Sequence, residues 1–157
     1  MSRTKVAIDE NLSPKLAKAL QEMYGHLGYD FMHVKEIGGG KDEIWAETFN
    51  RFGGQLIVSG DINIGKRPHQ QAAFVEHNFI CFFPQGRFGQ LRPEFQVAYL
   101  MHAWKCIHKK LDHIVAGSCW QMPVMYKEEK LSISDRDFKE MKIPAEVLND
   151  CRKKMKA

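Results

Sequence analysis

Three short acids, Asp9, Asp42 and Asp61, stand where they could do chemistry. Asp9 follows the apolar run Val6-Ala7-Ile8, Asp61 follows Leu56-Ile57-Val58, and Asp42 precedes a segment of helical apolar spacing. Carboxylate oxygens suit a hard divalent cation, and magnesium asks for only one or two of them beside water and substrate phosphate. Three carboxylates brought together at neutral pH repel one another, and a bound cation removes that conflict. It also supplies charge at a phosphoryl centre. The set points to metal-assisted phosphodiester hydrolysis more readily than to acyl transfer. Each acid also has a plain structural reading: Asp42 as a helix N-cap, Asp61 as a turn residue, Asp9-Glu10 as a capping pair. The functional reading rests on all three falling at one sheet edge.

Basic and amide side chains lie near Asp61 in the chain. Lys66, Arg67 and His69 follow it closely, and a loop folding back would offer them to a phosphate. His69 can equally be an exposed residue at a helix start. Asn63 is the nearest polar residue after Asp61, and Asn11 follows Asp9-Glu10. The run Gly38-Gly39-Gly40 has neither Walker nor dinucleotide spacing, so it is a turn and not a phosphate loop. Trp45 and Trp104 fall at helical core spacing and are read as core rather than as base-stacking residues.

The elements that must carry these residues alternate through the first half. Val6–Ile8 predicts strand one. Ser13 as N-cap and Pro14 at the first helical position open a helix, with Leu16, Leu20 and Met23 as its buried stripe and Gly25 or Gly28 as its stop. Residues 29–34 predict strand two. Asp42 caps a helix whose apolar face is Ile44, Trp45, Thr48, Phe49 and Phe52, ended by Gly53-Gly54. Leu56–Val58 predicts strand three, Pro68 to about His77 a helix, and residues 79–83 strand four. This order predicts an α/β fold with a mostly parallel sheet and helices on both faces. In such sheets the working site lies beyond the carboxyl ends of the strands, where Asp9 and Asp61 fall. Further on, Pro93 to about Ala116 reads as one long helix. One apolar line is Val97, Met101, Trp104, His108, Leu111 and Val115, and a second is Leu100, Ile107 and Ile114. Such a helix is either deeply buried or available to a partner. Residues 124–126 and 130–133 look like short strands or a hairpin, and a terminal helix starts at Pro144 with a disordered basic end.

Composition narrows the class. With 157 residues, 44% of them hydrophobic, the chain can bury one real core. No apolar run approaches the roughly 20 residues needed to span a bilayer, and Val6-Ala7-Ile8 is too short for a signal-peptide core. The expectation is a soluble, cytoplasmic protein with no membrane partner. The four cysteines, Cys81, Cys106, Cys119 and Cys151, show no CxxC spacing and are read as buried or incidental thiols. A net charge of +4 is mild, and its positives cluster at Lys105, Lys109 and Lys110, at Arg152-Lys153-Lys154 with Lys156, and at Lys66-Arg67, a basic rim that would suit a phosphodiester substrate.

Three ordered blocks carry a family resemblance. Asp9-Glu10-Asn11-Leu12-Ser13-Pro14-Lys15-Leu16 resembles the opening of compact PIN-like proteins. His33-Val34-Lys35-Glu36-Ile37-Gly38, with Asp42-Glu43-Ile44-Trp45, resembles their second block, and Ile57-Val58-Ser59-Gly60-Asp61 their third. The resemblance covers roughly residues 5 to 85. It implies a PIN-like three-layer fold over a single domain, residues 1–157. Residues 1–90 form its acidic half, and residues 91–157 a long helix with a C-terminal extension. It implies a Mg2+ or Mn2+ centre and ribonuclease activity, with RNA as substrate. It often implies service as a VapC-type toxin with a cognate antitoxin, and a homodimer is a further expectation. The metal acids carried over are Asp9, Asp42 and Asp61. Glu10 stands as the fourth carboxylate, with Glu43 as another candidate. Asn63 stands in for the Ser or Thr that many PIN nucleases place after the third acid. Asn11, Asn63, Lys66, Arg67 and His69 are the expected substrate contacts. A PIN-like shell that binds RNA or a protein without turnover is the alternative. A phosphatase ranks below both, because Asp9 is followed by Glu10-Asn11 and not by the Asp-x-Asp pattern of one large class.

Overall fold

A computed structural model describes residues 2–38, 40–85, 88–123 and 137–156, with backbone only at residues 42 and 43. The strands are β1 (Thr4–Ile8), β2 (Tyr29–His33), β3 (Gly54–Val58), β4 (Ile80–Phe83), β5 (Ser118–Gln121) and β6 (Lys139–Met141). The helices are α1 (Pro14–Tyr24), α2 (Asp42–Arg51), α3 (Pro68–Glu76), α4 (Pro93–Lys110) and α5 (Ala145–Lys156). The strands form one sheet in the order β2-β1-β3-β4-β5-β6, parallel except for β6. This is the expected mostly parallel α/β architecture.

β1, β3 and β4 end in continuous apolar runs because both faces are covered there. Val6, Ile8, Leu56, Val58 and Phe82 join the layer that holds α1 and α4. Ala7, Ile57, Cys81 and Phe83 join the layer of α2 and α3, with α5 packed over α3. The chain leaves β1 in one direction to reach β2, then crosses back to β3, so α1 and α2 lie on opposite faces. The crevice between the ends of β1 and β3 is therefore the topological switch point of the sheet. From β3 onward the chain steps steadily outward, yet α3 and α4 lie on opposite faces. The β4–α4–β5 crossover thus has the opposite hand to β3–α3–β4, against the strong general preference for one hand. Space explains it: α3 packs against both β4 and β5 and α5 covers α3, so the open ground for α4 is beside α1.

Local signals place the helix starts. Ser13 caps α1, its Oγ accepting from the Lys15 N–H at 3.2 Å, with Pro14 in the first turn. The buried stripe of α1 is Leu16, Ala17, Leu20 and Tyr24, whereas Met23, expected within it, is half-exposed. Tyr24 takes that place because its hydroxyl donates to the Met101 carbonyl on α4 at 2.6 Å. The N-cap of α2 is Lys41, and Asp42 is instead the first helical residue. Trp45, Ala46 and Phe49 fill the core, while Ile44 and Phe52 stay exposed at the margins of the face that the sheet can cover.

The second half departs further. α4 stops at Lys110 and tightens into the turn Leu111–His113, short of the expected Ala116. Its buried residues are Gln96, Tyr99, Leu100, Ala103, Trp104 and Ile107, so the second apolar line, joined by Trp104, faces α1. His108 is exposed, and Val115 is 80% exposed. β5 and β6 lie where no strand was expected, and the strands expected at 124–126 and 130–133 lie outside the described residues. The basic end is helical through Lys156, not disordered. Buried Cys151 and an Arg152 Nε–Glu76 Oε1 bond of 2.8 Å dock it on α3.

The outer edge at β2 is closed by side chains. Gln21 Nε2 donates to the Tyr29 carbonyl at 3.2 Å, and Gln21 Oε1 accepts from the Phe31 N–H at 2.8 Å. These are the two groups that one residue of a further parallel strand would bond. Glu36 Oε2 accepts from the His33 N–H at 3.3 Å. Covering an edge in this way removes a template for strand addition.

Candidate active site

The ladders run one residue past the strands before the chains part. The Asp9 N–H donates to the Val58 carbonyl at 2.9 Å, and the Ser59 N–H to the Phe82 carbonyl at 3.1 Å. Asp9 is therefore held as rigidly as the sheet, and it is only 8% exposed. A buried carboxylate needs donors. Oδ1 accepts from the Glu10 N–H at 2.6 Å and Oδ2 from the Ser59 hydroxyl at 2.7 Å. The same Ser59 oxygen accepts the Asp61 N–H at 3.2 Å. One buried hydroxyl thus joins the first acid to the backbone of the third.

Asp61 is held by its own turn. Oδ1 accepts from the Asn63 N–H at 2.9 Å, a local side-chain turn typical of aspartate. Oδ2 receives Arg67 Nη1 at 3.0 Å. The Asp61 side chain is 16% exposed against 53% for Arg67. Asn11 closes the gap between the two loops, its Oδ1 accepting from the Gly60 N–H at 2.9 Å. Glycine at residue 60 permits that approach, since a Cβ would lie 2.8 Å from Leu12 Cδ2 and would make that side chain shift.

Two positioning residues, His33 and Ser59, were not singled out as site residues from the sequence. His33, at the end of β2, is 1% exposed. Its Nδ1 accepts from the Lys35 N–H at 3.2 Å, so Nε2 carries the proton and donates to the Leu12 carbonyl at 2.8 Å. β2 is thereby pinned to the turn that carries Asp9, Glu10 and Asn11. The available signal for both was a polar residue at the end of a strand, a pattern without periodicity.

Asp9, Asn11, Asp61, Asn63 and Arg67 are thus drawn into one hydrogen-bonded network. Glu10 is exposed on the same turn, and Lys66 is exposed in the 3-10 turn Ile64–Lys66. The backbone of Asp42 opens α2, the helix that carries the chain from β2 across β1 to β3. The side chains of Asp42 and Glu43 lie outside the described residues. His69 is not drawn in: its Nδ1 lies 3.8 Å from Asp150 Oδ2 on α5, an oxygen shared with Lys154 at 3.2 Å.

Among the described residues no three His, Cys, Asp or Glu side chains form a metal cluster. The donors that do converge are hard oxygens: two carboxylates, a hydroxyl and a carboxamide. They fit a magnesium-class ion, which keeps several waters and takes one or two protein carboxylates. A cation already stands at Asp61, in the form of the Arg67 guanidinium.

The family model of the PIN-like domain matches residues 4–86. This chain belongs to the PIN-like domain family. The match runs from β1 past β4 and includes Asp9, Asp42 and Asp61, while α4, β5, β6 and α5 follow it. PIN-like domains are generally nucleases, so this is a nuclease-type fold. No curated protein and no solved structure matches the chain. No helix among the described residues is long and apolar enough to cross a membrane.

Proposed function

We propose that this PIN-like domain is a divalent-metal-dependent endoribonuclease that hydrolyses RNA phosphodiester bonds. The observation that carries the reading is the Ser59 hydroxyl shared between Asp9 and Asp61 at the switch point of the sheet. Asp9 and Asp61 hold the ion together with Asp42, and Glu10 supplies a fourth carboxylate ahead of Glu43. When bound, magnesium or manganese neutralises charge at the scissile phosphate and activates a water. Ser59 and the Glu10 N–H aim the Asp9 carboxylate, and the Asn63 N–H aims that of Asp61. Asn11 Oδ1 is taken by the Gly60 N–H, which leaves its amide N–H groups as the donors for a phosphate oxygen. Asn63, Lys66 and Arg67, exposed on the loop after Asp61, would be the further phosphate contacts, and His69 stands apart beside α5.

Service as the toxin of a toxin–antitoxin pair, with a cognate antitoxin, a homodimer and a cytoplasmic setting, belongs to the same proposal. Co-expression with the neighbouring gene tests it: rescue of growth and a co-purifying partner support the toxin role, and unimpaired growth without the neighbour counts against it. The decisive test of chemistry is Asp61→Asn in metal-defined buffer. RNA cleavage is expected to fall at least about a hundredfold with an unchanged melting temperature, and full activity in the variant would refute the assignment. A second reading, a PIN-like module that binds RNA without cutting it, is favoured by one observation: both Asp9 oxygens and both Asp61 oxygens already accept hydrogen bonds. RNA bound but uncut at saturating Mn2+ would favour it.

A further inference from the structure

We propose that Arg67 is a built-in counter-ion of Asp61 that a divalent cation must displace, and that the displaced guanidinium then serves as a contact to the RNA phosphate. This rests on the metal reading above and adds how entry of the metal is controlled. The two oxygens of Asp61 are held unequally. Oδ1 is fixed from within its own turn by the Asn63 N–H, and among the described residues Oδ2 is held from outside, by the half-exposed side chain of Arg67 at 3.0 Å. Losing the outer bond leaves the inner one intact, so Asp61 stays aimed when Arg67 leaves.

The backbone of Arg67 does not have to move. Its N–H donates to the Ile64 carbonyl at 2.9 Å, its carbonyl accepts from the Gln70 and Gln71 N–H groups, and Pro68 follows it at the head of α3. The buried Gln71 Nε2 braces the same turn on the Ile64 carbonyl at 2.6 Å. A long, flexible side chain thus swings from a fixed root. The arginine of the pair is half-exposed, so solvent screens its hold on Asp61, and a divalent ion brings twice the charge to the same oxygen. The exchange is favourable but costs metal affinity, because a positive charge stays within a few ångströms of the incoming ion. Linkage makes the effect reciprocal: metal that releases Arg67 strengthens phosphate binding, and phosphate that captures Arg67 strengthens metal binding.

The test is Mn2+ titration of the wild type, Arg67→Gln and Arg67→Lys, without RNA, by calorimetry. A parallel series measures binding of an uncleavable 2′-O-methyl oligoribonucleotide with and without Mn2+. Arg67→Gln is expected to bind Mn2+ about tenfold more tightly, and Arg67→Lys, which keeps the charge, to stay near the wild type. The gain in oligonucleotide affinity on adding Mn2+ should shrink in Arg67→Gln. Unchanged or weaker Mn2+ binding in Arg67→Gln overturns the inference, because a residue that merely braces the loop would act in that direction. Absence of Mn2+ binding in all three proteins overturns the metal reading itself, and this inference with it.

Discussion

The two ends of the sheet are built on different principles. At the carboxyl end, around Asp9 and Asp61, polar groups from the β1–α1 turn, the end of β2 and the β3–α3 loop hold one another through directed hydrogen bonds. At the start of β2, aromatic packing does the work. Trp104 meets Tyr29 and Phe31 edge-on at ring-centroid distances of 5.2 and 4.8 Å, and Tyr29 Oη lies 2.6 Å from His108 Nδ1. The aromatic end pools area-dependent burial and tolerates imprecise direction. The acidic end stores direction, since hydrogen bonds and carboxylate contacts are lost when a group is misplaced by about 1 Å. Stability and chemistry should therefore come apart when each end is mutated.

The largest separation is expected between Asp61→Asn and Trp104→Ala. The former removes cleavage and leaves melting nearly unchanged, because Asn keeps an oxygen for the Asn63 N–H. The latter should cost about 3–5 kcal/mol of stability while leaving turnover per folded molecule close to that of the wild type. Chemical denaturation and single-turnover cleavage, read on both variants, would show whether the two ends are independent. Ser59→Ala sharpens the point inside the acidic end. It leaves a buried Asp9 oxygen without its hydroxyl donor, so a loss of about 10- to 100-fold in Mn2+ affinity is expected, with about 1–3 kcal/mol of destabilisation. Equal losses of metal binding in Trp104→Ala would contradict the division.

The smallest effect concerns pH at the aromatic end. Burial, helped by the negative charge of Asp112, pushes the Tyr29 hydroxyl up to about 12 from its ordinary 10.0. The folded state therefore holds this proton more tightly than the unfolded chain does. The resulting stabilisation is fully present below pH 10 and is lost as pH rises through about 12. Tyr29→Phe should flatten the alkaline arm of stability over that window and leave the neutral region unchanged. An identical alkaline arm in both proteins would place the titrating group elsewhere.

Legibility in the sequence followed the same division. β1, β3 and β4 were readable because strands covered on both faces are uninterrupted apolar runs, and α1 because Ser13-Pro14 is a local start signal. β5 was not, since Ser118-Cys119-Trp120-Gln121 has no period of its own and becomes a strand by pairing with β4. Nor could the buried line of α4 be chosen, because two lines were apolar and only contact with α1 selects between them. Asp9 and Asp61 stood out as acids after strands. His33 and Ser59 did not, since a polar side chain that serves a neighbour distant in sequence leaves no spacing to read.

The acidic edge at which the sequence first pointed is thus set by two kinds of cause. Residue types and local order determined that the chain would make a parallel α/β sheet with Asp9 and Asp61 at strand ends, because periodicity, caps and turns act over a few residues. Only the tertiary structure decided that β1 and β3 lie side by side, that one hydroxyl links the Asp9 carboxylate to the Asp61 backbone, and that Arg67 rests on Asp61 while His69 turns to α5. Those outcomes depend on which elements pack together, and packing is settled between segments far apart in the chain.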